Sequence, residues 1–422
     1  MRTFWRWLLS CAVLWICGQI AAAHEVDQHS VPAGEQFVDH GDYWNRLLFN
    51  AVYRAFVETN DDITRARRIK LAPLRAARLA HLHSSSTFTW RVRKNLPTAL
   101  LAIESLEMQM RRAGHRDAAT GKLLGYRAPL LKSTYSHSPG LPDVRQLNRM
   151  LLMRCSTIKV HGHYLGTDKI GHFLAMGYIY YQSYNAARLA GKSHEDALRL
   201  SAQINRWGPL SEQTFLGMIP TGIYSNADMA ANYVGMKYYV NVTQAVKLQG
   251  RLYPAMAQRV GDYWQLSPHV RPDGDFFAAF VSDHFDEVLN PSLFVWGTRG
   301  RVRRAIQQRG TQLVHWYAQD NRAAWTPQYY DKVARDCATY YGESYGHSGK
   351  PDQLVTLATA SFPTADQPGN AFEVVSLEAA TQPKQASAGD VIPRLYPHSD
   401  SRNATAGKSL GRQSQVTEEE HD

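Results

Sequence analysis

Between Lys169 and Val240 apolar residues recur at helical spacing in three successive stretches: Lys169 to Ala190, His194 to Trp207 and Asn226 to Val240. Polar side chains fall on the same stripes as the apolar ones. Such groups must find partners inside a core, so this segment constrains the fold more than any other. Ser193 with Asp196, and Ser225 with Asp228, have the Ser-x-x-acid arrangement that caps helix starts. Gly235 lies mid-helix, where glycine costs roughly 1 kcal/mol relative to alanine. Its place there predicts close packing against the helix that begins near Asp168.

Helical periodicity continues on both sides. Trp44, Leu47, Leu48, Val52, Ala55 and Phe56 give an amphipathic helix from Asp42 to Glu58, and Pro97 opens another through Leu100, Leu101, Ile103, Leu106 and Met110. Pro73 interrupts any helix in the basic stretch Arg65, Arg67, Arg68, Lys70, Arg75 and Arg78, which reads as a solvated surface. Gly114 to Pro142 reads as a loop-rich connection. Ala255 to Asn290 and Gln307 to Tyr341 read as further helical material, separated by Pro291 and a basic turn from Arg299 to Arg304. Strand-like alternation is weak throughout. The expectation is a mainly α protein: a helical bundle core with loop-rich connections and, beyond Thr364, a disordered tail poor in aromatics. The corresponding divisions are 1–23, 24–145, 146–242, 243–363 and 364–422.

Arg2 and Arg6 precede a short apolar run from Trp7 to Ile20 that ends in Ala21-Ala22-Ala23. That is the pattern of a secretory signal peptide cut after Ala23, with an uncleaved anchor as the alternative. A bulky Ile16 before Cys17 argues against a lipoprotein, and Cys11 comes too early. No later run approaches the roughly 20 apolar residues of a transmembrane helix; Ile170 to Tyr181 is about half that and contains His172. The expected compartment is periplasmic or secreted, with no transmembrane segment after cleavage. Cys155 and Cys337 then remain, and one long-range disulfide and two separate buried thiols are both open. The formal charge of +10, two of it from the signal arginines, suits anionic envelope partners such as phospholipid head groups or lipopolysaccharide phosphates. No recognised nucleic-acid module is present, and no nucleic-acid partner is expected.

The densest polar cluster runs from His161 to Phe173. With a helix starting at Asp168, Asp168 and His172 share a side at the i, i+4 spacing that lets two side chains address one ion or proton. Alternatively Asp168 is an N-cap and His172 a core histidine with a buried partner. Further on, Glu212-Gln213 precedes Asp228, Asn232 and Gly235, which fall at i, i+4 and i+7 of one helix face. Asp283, His284 and Glu287 form a third polar group, read most simply as a charged helix face.

The ordered set Asp168-Lys169-x-x-His172-Phe173, Glu212-Gln213 and Asp228-x-x-x-Asn232-x-x-Gly235 resembles the motifs of the VanZ-like family and related bacterial periplasmic proteins. The resemblance covers Thr167 to about Tyr239. It implies a helical bundle whose interior gathers Asp168, Lys169, His172, Glu212, Asp228 and Asn232, and it supplies no substrate. VanZ-like proteins are membrane-embedded, whereas this chain lacks the hydrophobic spans.

Two functions compete. In the first, a non-catalytic envelope protein uses the interior polar residues for packing and its basic surface for partners. The second is a metal-dependent hydrolase acting on a phosphoester or lipid. There His161, His163, Asp168 and His172 would be zinc ligands, and Glu212 or Asp228 a further ligand or general base. A metal-free acid–base site, with His172 set by Asp168 or Asp228 and Lys169 holding an anion, is a variant of the second. Ser211, Ser225 and Thr167 lack a Gly-x-Ser-x-Gly elbow. Asp168, His172 and Asp228 paired with each other and shut off from solvent would mark the first function.

Overall fold

The structure is a computed structural model that describes residues 26–129 except 33, together with 133–135, 155–207, 221–290, 292–318, 327–337, 339, 354–355 and 357. The N-terminal apolar run, Glu212 and the tail beyond Thr364 lie outside the described residues. By its contacts the chain divides into Met1–Glu373 and Val374–Asp422, and all the described residues belong to the first unit. The fold of that unit is mainly α, with a few short antiparallel strands.

Helix α1 (Gly41–Arg67) buries Trp44, Leu48, Ala51, Val52, Ala55, Thr59, Ile63 and Ala66, an unbroken stripe at helical spacing that carries it past Glu58. Pro73 falls in the first turn of α2 (Ala72–Leu82), where its missing N–H has no helical partner to lose. Helix α3 (Ser85–Asn95), which the periodicity does not reveal, is capped by Ser84 Oγ accepting from Thr87 N at 3.2 Å. Pro97 sits just before the cap of α4 (Ala99–Arg112), Thr98, rather than inside the helix. The basic residues at the end of α1 and in α2 are largely exposed, and Asp62 on α1 gathers three arginines: it accepts from Arg65 and from Arg91 of α3 and lies 3.6 Å from Arg78.

Strands β1 (Thr157–Val160) and β2 (His163–Gly166) form a hairpin. Its two turn residues, His161 and Gly162, both have positive φ, the geometry that matches strand twist. Asp39 holds the turn by accepting from both backbone N–H groups, at 2.8 and 2.6 Å. The hairpin leads directly into α5 (Thr167–Gly171), a π-helical turn at His172–Met176, and α6 (Gly177–Leu189). Helix α7 (His194–Trp207) is capped by Ser193 Oγ accepting from Asp196 N at 3.0 Å. Strand β3 (Ile223–Tyr224) introduces α8 (Asn226–Asn241), every residue of which is buried. It is the axis of the fold, packed on α6, the π turn and the 283–285 turn.

Residues 255–290 are not helical. Strands β4 (Val246–Leu248) and β5 (Arg251–Tyr253) pair, and so do β6 (Ala257–Val260) and β7 (Tyr263–Leu266), followed by 3-10 turns at Ala278–Phe280 and Asp283–Phe285. Pro254, Pro268 and Pro272 remove donors that a helix here would need. Trp264 secures the β6–β7 hairpin to the helices: its ring stacks on Phe88 at 4.4 Å, its Nε1 donates to Leu82 O, and its backbone exchanges two hydrogen bonds with Asn60. The basic run Arg299 to Arg304 is no turn but part of the N-terminal half of α9 (Trp296–Ala318), where Val302 and Ile306 give a buried stripe. Strand β8 (Ser292–Phe294) pairs with β3 and with β9 (Leu354–Val355). Helix α10 (Pro327–Cys337) closes a core of Tyr164, Phe294, Trp316, Tyr317 and Val333.

Cys155 and Cys337 are both free and buried, which decides the open pairing in favour of two thiols. Cys155 packs with Val26 and Ile103, Cys337 in the core around Trp316.

Candidate functional site

The polar heart of the protein begins at the start of α5. Glu107 on α4 anchors it: one carboxylate oxygen accepts from Ser156 N at 2.7 Å and Thr167 Oγ1 at 2.8 Å, the other from Ser156 Oγ at 2.8 Å. That fixes the hairpin's exit and aims the first helical turn inward. Asp168, Lys169 and His172 are consequently buried together, each at most 1% exposed.

Helix α8 supplies the facing groups. Ser225 Oγ accepts from Asp228 N at 3.1 Å and so caps the helix, leaving the Asp228 carboxylate to point away from the cap. Asn232, one turn on, pairs its Oδ1 with His172 Nδ1 at 3.0 Å. Gly235, a further turn on, permits the approach: a Cβ there would fall on the Phe173 carbonyl, with Phe173 Cα at 2.9 Å. Gly177 meets it from α6, its own Cβ position lying 2.6 Å from Gly235 Cα. The π turn leaves carbonyls displaced from the usual ladder, and Tyr239 OH donates to Leu174 O at 2.9 Å.

A third contribution comes from the segment after Asp283–Phe285. Asp286 accepts from Tyr317 OH at 2.6 Å, from Val288 N at 2.8 Å and from Gln28 Nε2 at 3.3 Å, while Glu287 N donates to Gln28 Oε1. These bonds lock the backbone so that Glu287 projects into the cluster.

Lys169 Nζ is the centre. It lies 2.9 Å from Asp168 Oδ2, 2.6 Å from Asp228 Oδ1 and 2.6 Å from Glu287 Oε1. Ser225 Oγ and Tyr135 OH also donate to Glu287, at 2.9 and 3.2 Å. His172 Nε2 stands 3.5 Å from Asp228 Oδ2, without a hydrogen-bond partner. Three carboxylates thus surround one ammonium. Burial pushes the Asp168 carboxyl above its ordinary range, and the neighbouring Asp228 adds to this against the pull of Lys169.

Five of the residues singled out by sequence come together: Asp168, Lys169, His172, Asp228 and Asn232. Glu212 lies outside the described residues. The set His161, His163, Asp168 and His172 does not assemble as metal ligands. Among the described residues the group with metal-ligand spacing is Asp168, Asp228 and Glu287, with ligand atoms within 4.8 Å of one another. The hairpin explains the difference. His161 occupies its turn and packs edge-on to Phe277, and His163, at the head of β2, bonds Asp283 through Nδ1 at 2.7 Å. His284 is satisfied apart from the cluster, by Ser282 Oγ and the carbonyls of Asp336 and Thr339.

The arrangement can hold a cation, and Lys169 itself provides one. A divalent ion among the three carboxylates would take the place of the ammonium, so the donor set fits a metal only after Lys169 has moved or lost its proton. Ser225 is committed to the cap and to Glu287, and is no nucleophile.

No family model, no curated protein and no solved structure matches the chain.

Proposed function

We propose that this is a non-catalytic protein of the bacterial envelope, carried out of the cytoplasm by its N-terminal signal, in which the Lys169 cluster is a structural interlock and function lies in binding anionic partners. One observation carries the reading. The ammonium of Lys169 is within 2.9 Å of all three carboxylates, and none of Asp168, Lys169, His172, Asp228 and Glu287 is more than 1% exposed. A reaction centre needs an approach for substrate. A sealed set of charges joins the hairpin, α5, α8 and the 286–287 segment, and specifies how they pack.

A second reading, a zinc-dependent hydrolase of phosphoesters or lipids, draws on the carboxylate trio and on His172 Nε2, which lacks a hydrogen-bond partner. Elemental analysis of the mature protein purified without chelator, beside its His172→Ala variant, separates the two. Substoichiometric metal in both, with an unfolding midpoint indifferent to chelator, is the expected result. One zinc per chain in the native protein, lost in the variant, would overturn the structural reading.

A further inference from the structure

From Ile63 to Ile103 the sequence carries nine arginines and lysines and no aspartate or glutamate. This run spans the end of α1, all of α2 and α3 and the start of α4, and the first three of these helices pack on one another. Acids from elsewhere reach it sparsely. Asp62 is shared among Arg65, Arg78 and Arg91, one carboxylate for three guanidinium groups, and Asp262 stands 3.6 Å from Arg67. Arg75 donates to the Ile69 carbonyl at 3.1 Å, a neutral partner that leaves its charge unmatched. Arg68 and Lys70 are exposed and form no ion pair among the described residues.

Helix α2, which follows directly, is uncovered as well. Of its 11 residues only Leu82 is buried. A helix shorter than about 12–15 residues is marginal by itself in water and takes its stability from a packed face. Here the first turns face solvent with apolar groups: Leu71, at the N-cap, is 63% exposed and Leu74, three residues on, is 55% exposed. Ala77 continues the same side and is exposed too.

The pairing of unmatched charge with exposed leucine selects the partner. A nucleic acid would take up the charges and leave the leucines in water. An apolar protein groove would take up the leucines and leave the charges unmatched. A bilayer with anionic head groups answers both, since basic residues are drawn to its surface and apolar ones enter the boundary between head groups and acyl chains. We propose that α2 and the basic run leading into it form a docking surface for an anionic phospholipid bilayer, with Leu71 and Leu74 inserted and Arg68 and Lys70 among the head groups. The inference deepens the anionic-partner reading above and rests on it; it is independent of what the Lys169 cluster does.

A chain prepared without residues 1–23 keeps every described residue and has no apolar run of its own to enter a bilayer. It is floated with phosphatidylcholine vesicles, with and without phosphatidylglycerol, at about 50 mM and about 200 mM salt. Three double variants are compared: Arg68→Gln with Lys70→Gln, Leu71→Ser with Leu74→Ser, and the control Leu189→Ser with Lys192→Gln. All six positions are exposed, so the fold is retained. Each basic residue at an anionic surface is worth about fivefold in partitioning, and the leucine pair about tenfold or more. Flotation that needs phosphatidylglycerol, falls with salt, drops about tenfold or more in each α2 variant and is unchanged in the control is the expected result. Equal weakening in the control, or flotation indifferent to Leu71 and Leu74, overturns the proposal and leaves a diffuse electrostatic surface. Absence of flotation overturns it as well. In that case retention of the chain on immobilised lipopolysaccharide would preserve the anionic-partner reading, and failure to be retained would end both.

Discussion

Lys169→Met removes the one ammonium that the three buried carboxylates share. At an effective dielectric of about 20, each of the three contacts at 2.6–2.9 Å is worth roughly 6 kcal/mol of attraction. Against this stand the mutual repulsion of carboxylates whose oxygens lie within 4.8 Å, about 3.5 kcal/mol or more per pair, and the several kcal/mol needed to desolvate an ammonium. The large terms nearly cancel in the native protein. Removing one side of them does not: breaking a buried ion pair typically costs about 3–5 kcal/mol. For a unit of this size that corresponds to a fall of roughly 5 °C in Tm. The assay is urea unfolding of the protein and the variant from pH 7 down to about pH 4.5, reading the difference in stability. Burial already holds the Asp168 carboxyl above its unfolded value, and losing the pull of Lys169 raises it further, so the native variant binds the extra proton. Its stability is therefore regained as pH falls toward the unfolded value and lost as pH rises, and the difference should shrink on acidification. Because Asp168 is already raised by burial, it should take the first proton. A loss under about 1 kcal/mol at pH 7, or a loss independent of pH, would refute the reasoning.

Other consequences rest on single contacts. Gly235→Ala should destabilise by about 3 kcal/mol or more, measured by urea unfolding, because its Cβ meets backbone of Phe173 that cannot step aside; a loss below about 1 kcal/mol would mean that the two helices are less closely packed. Burial, reinforced by Arg309, pulls His29 down to about 3 from 6.5, so it stays neutral in the fold while the unfolded chain protonates below 6.5. Stability attributable to it is present above pH 6.5 and is lost as pH falls. Between about pH 6.5 and 4.5 that loss is about 2.3 kcal/mol, and His29→Phe should abolish it in acid unfolding curves. An equal acid slope in the variant would contradict this. Burial pushes both the Cys155 and Cys337 thiols well up, so a chain prepared without residues 1–23, and so without Cys11 and Cys17, should resist alkylation when native and accept two alkyl groups once denatured without reductant; zero groups by mass spectrometry would reveal a disulfide.

Sequence periodicity locates the elements whose signals are local. Helix α7 is bounded by its Ser193 cap and its amphipathic stripe, and α8 is marked by the Ser225 cap although it is buried on every side. Gly235 betrays the helix contact because no side chain fits where backbones touch. The elements that periodicity hides depend on pairing across the chain. Strands of two to four residues are too short for alternation to speak, so residues 255–290 look like helix and the His161 turn like a ligand cluster. Glu287 resembles part of a charged helix face, and nothing local marks it as buried. Its partners Gln28, Tyr135, Lys169 and Ser225 lie at least 62 residues away. Glu107 is likewise hidden among the charges of α4. The run Phe285 to Leu289, with two acids enclosed by apolar residues, is the available hint.

The central claim, that Lys169 and its carboxylates hold the core together as one unit, is tested most directly by a double-mutant cycle with Lys169→Met, Glu287→Gln and their combination. Unfolding free energies at pH 7 should show a coupling of about 2 kcal/mol or more, with the double variant more stable than additivity allows, because neutralising Glu287 relieves part of the charge left by the missing ammonium. Additive losses, with coupling near zero, would contradict the account.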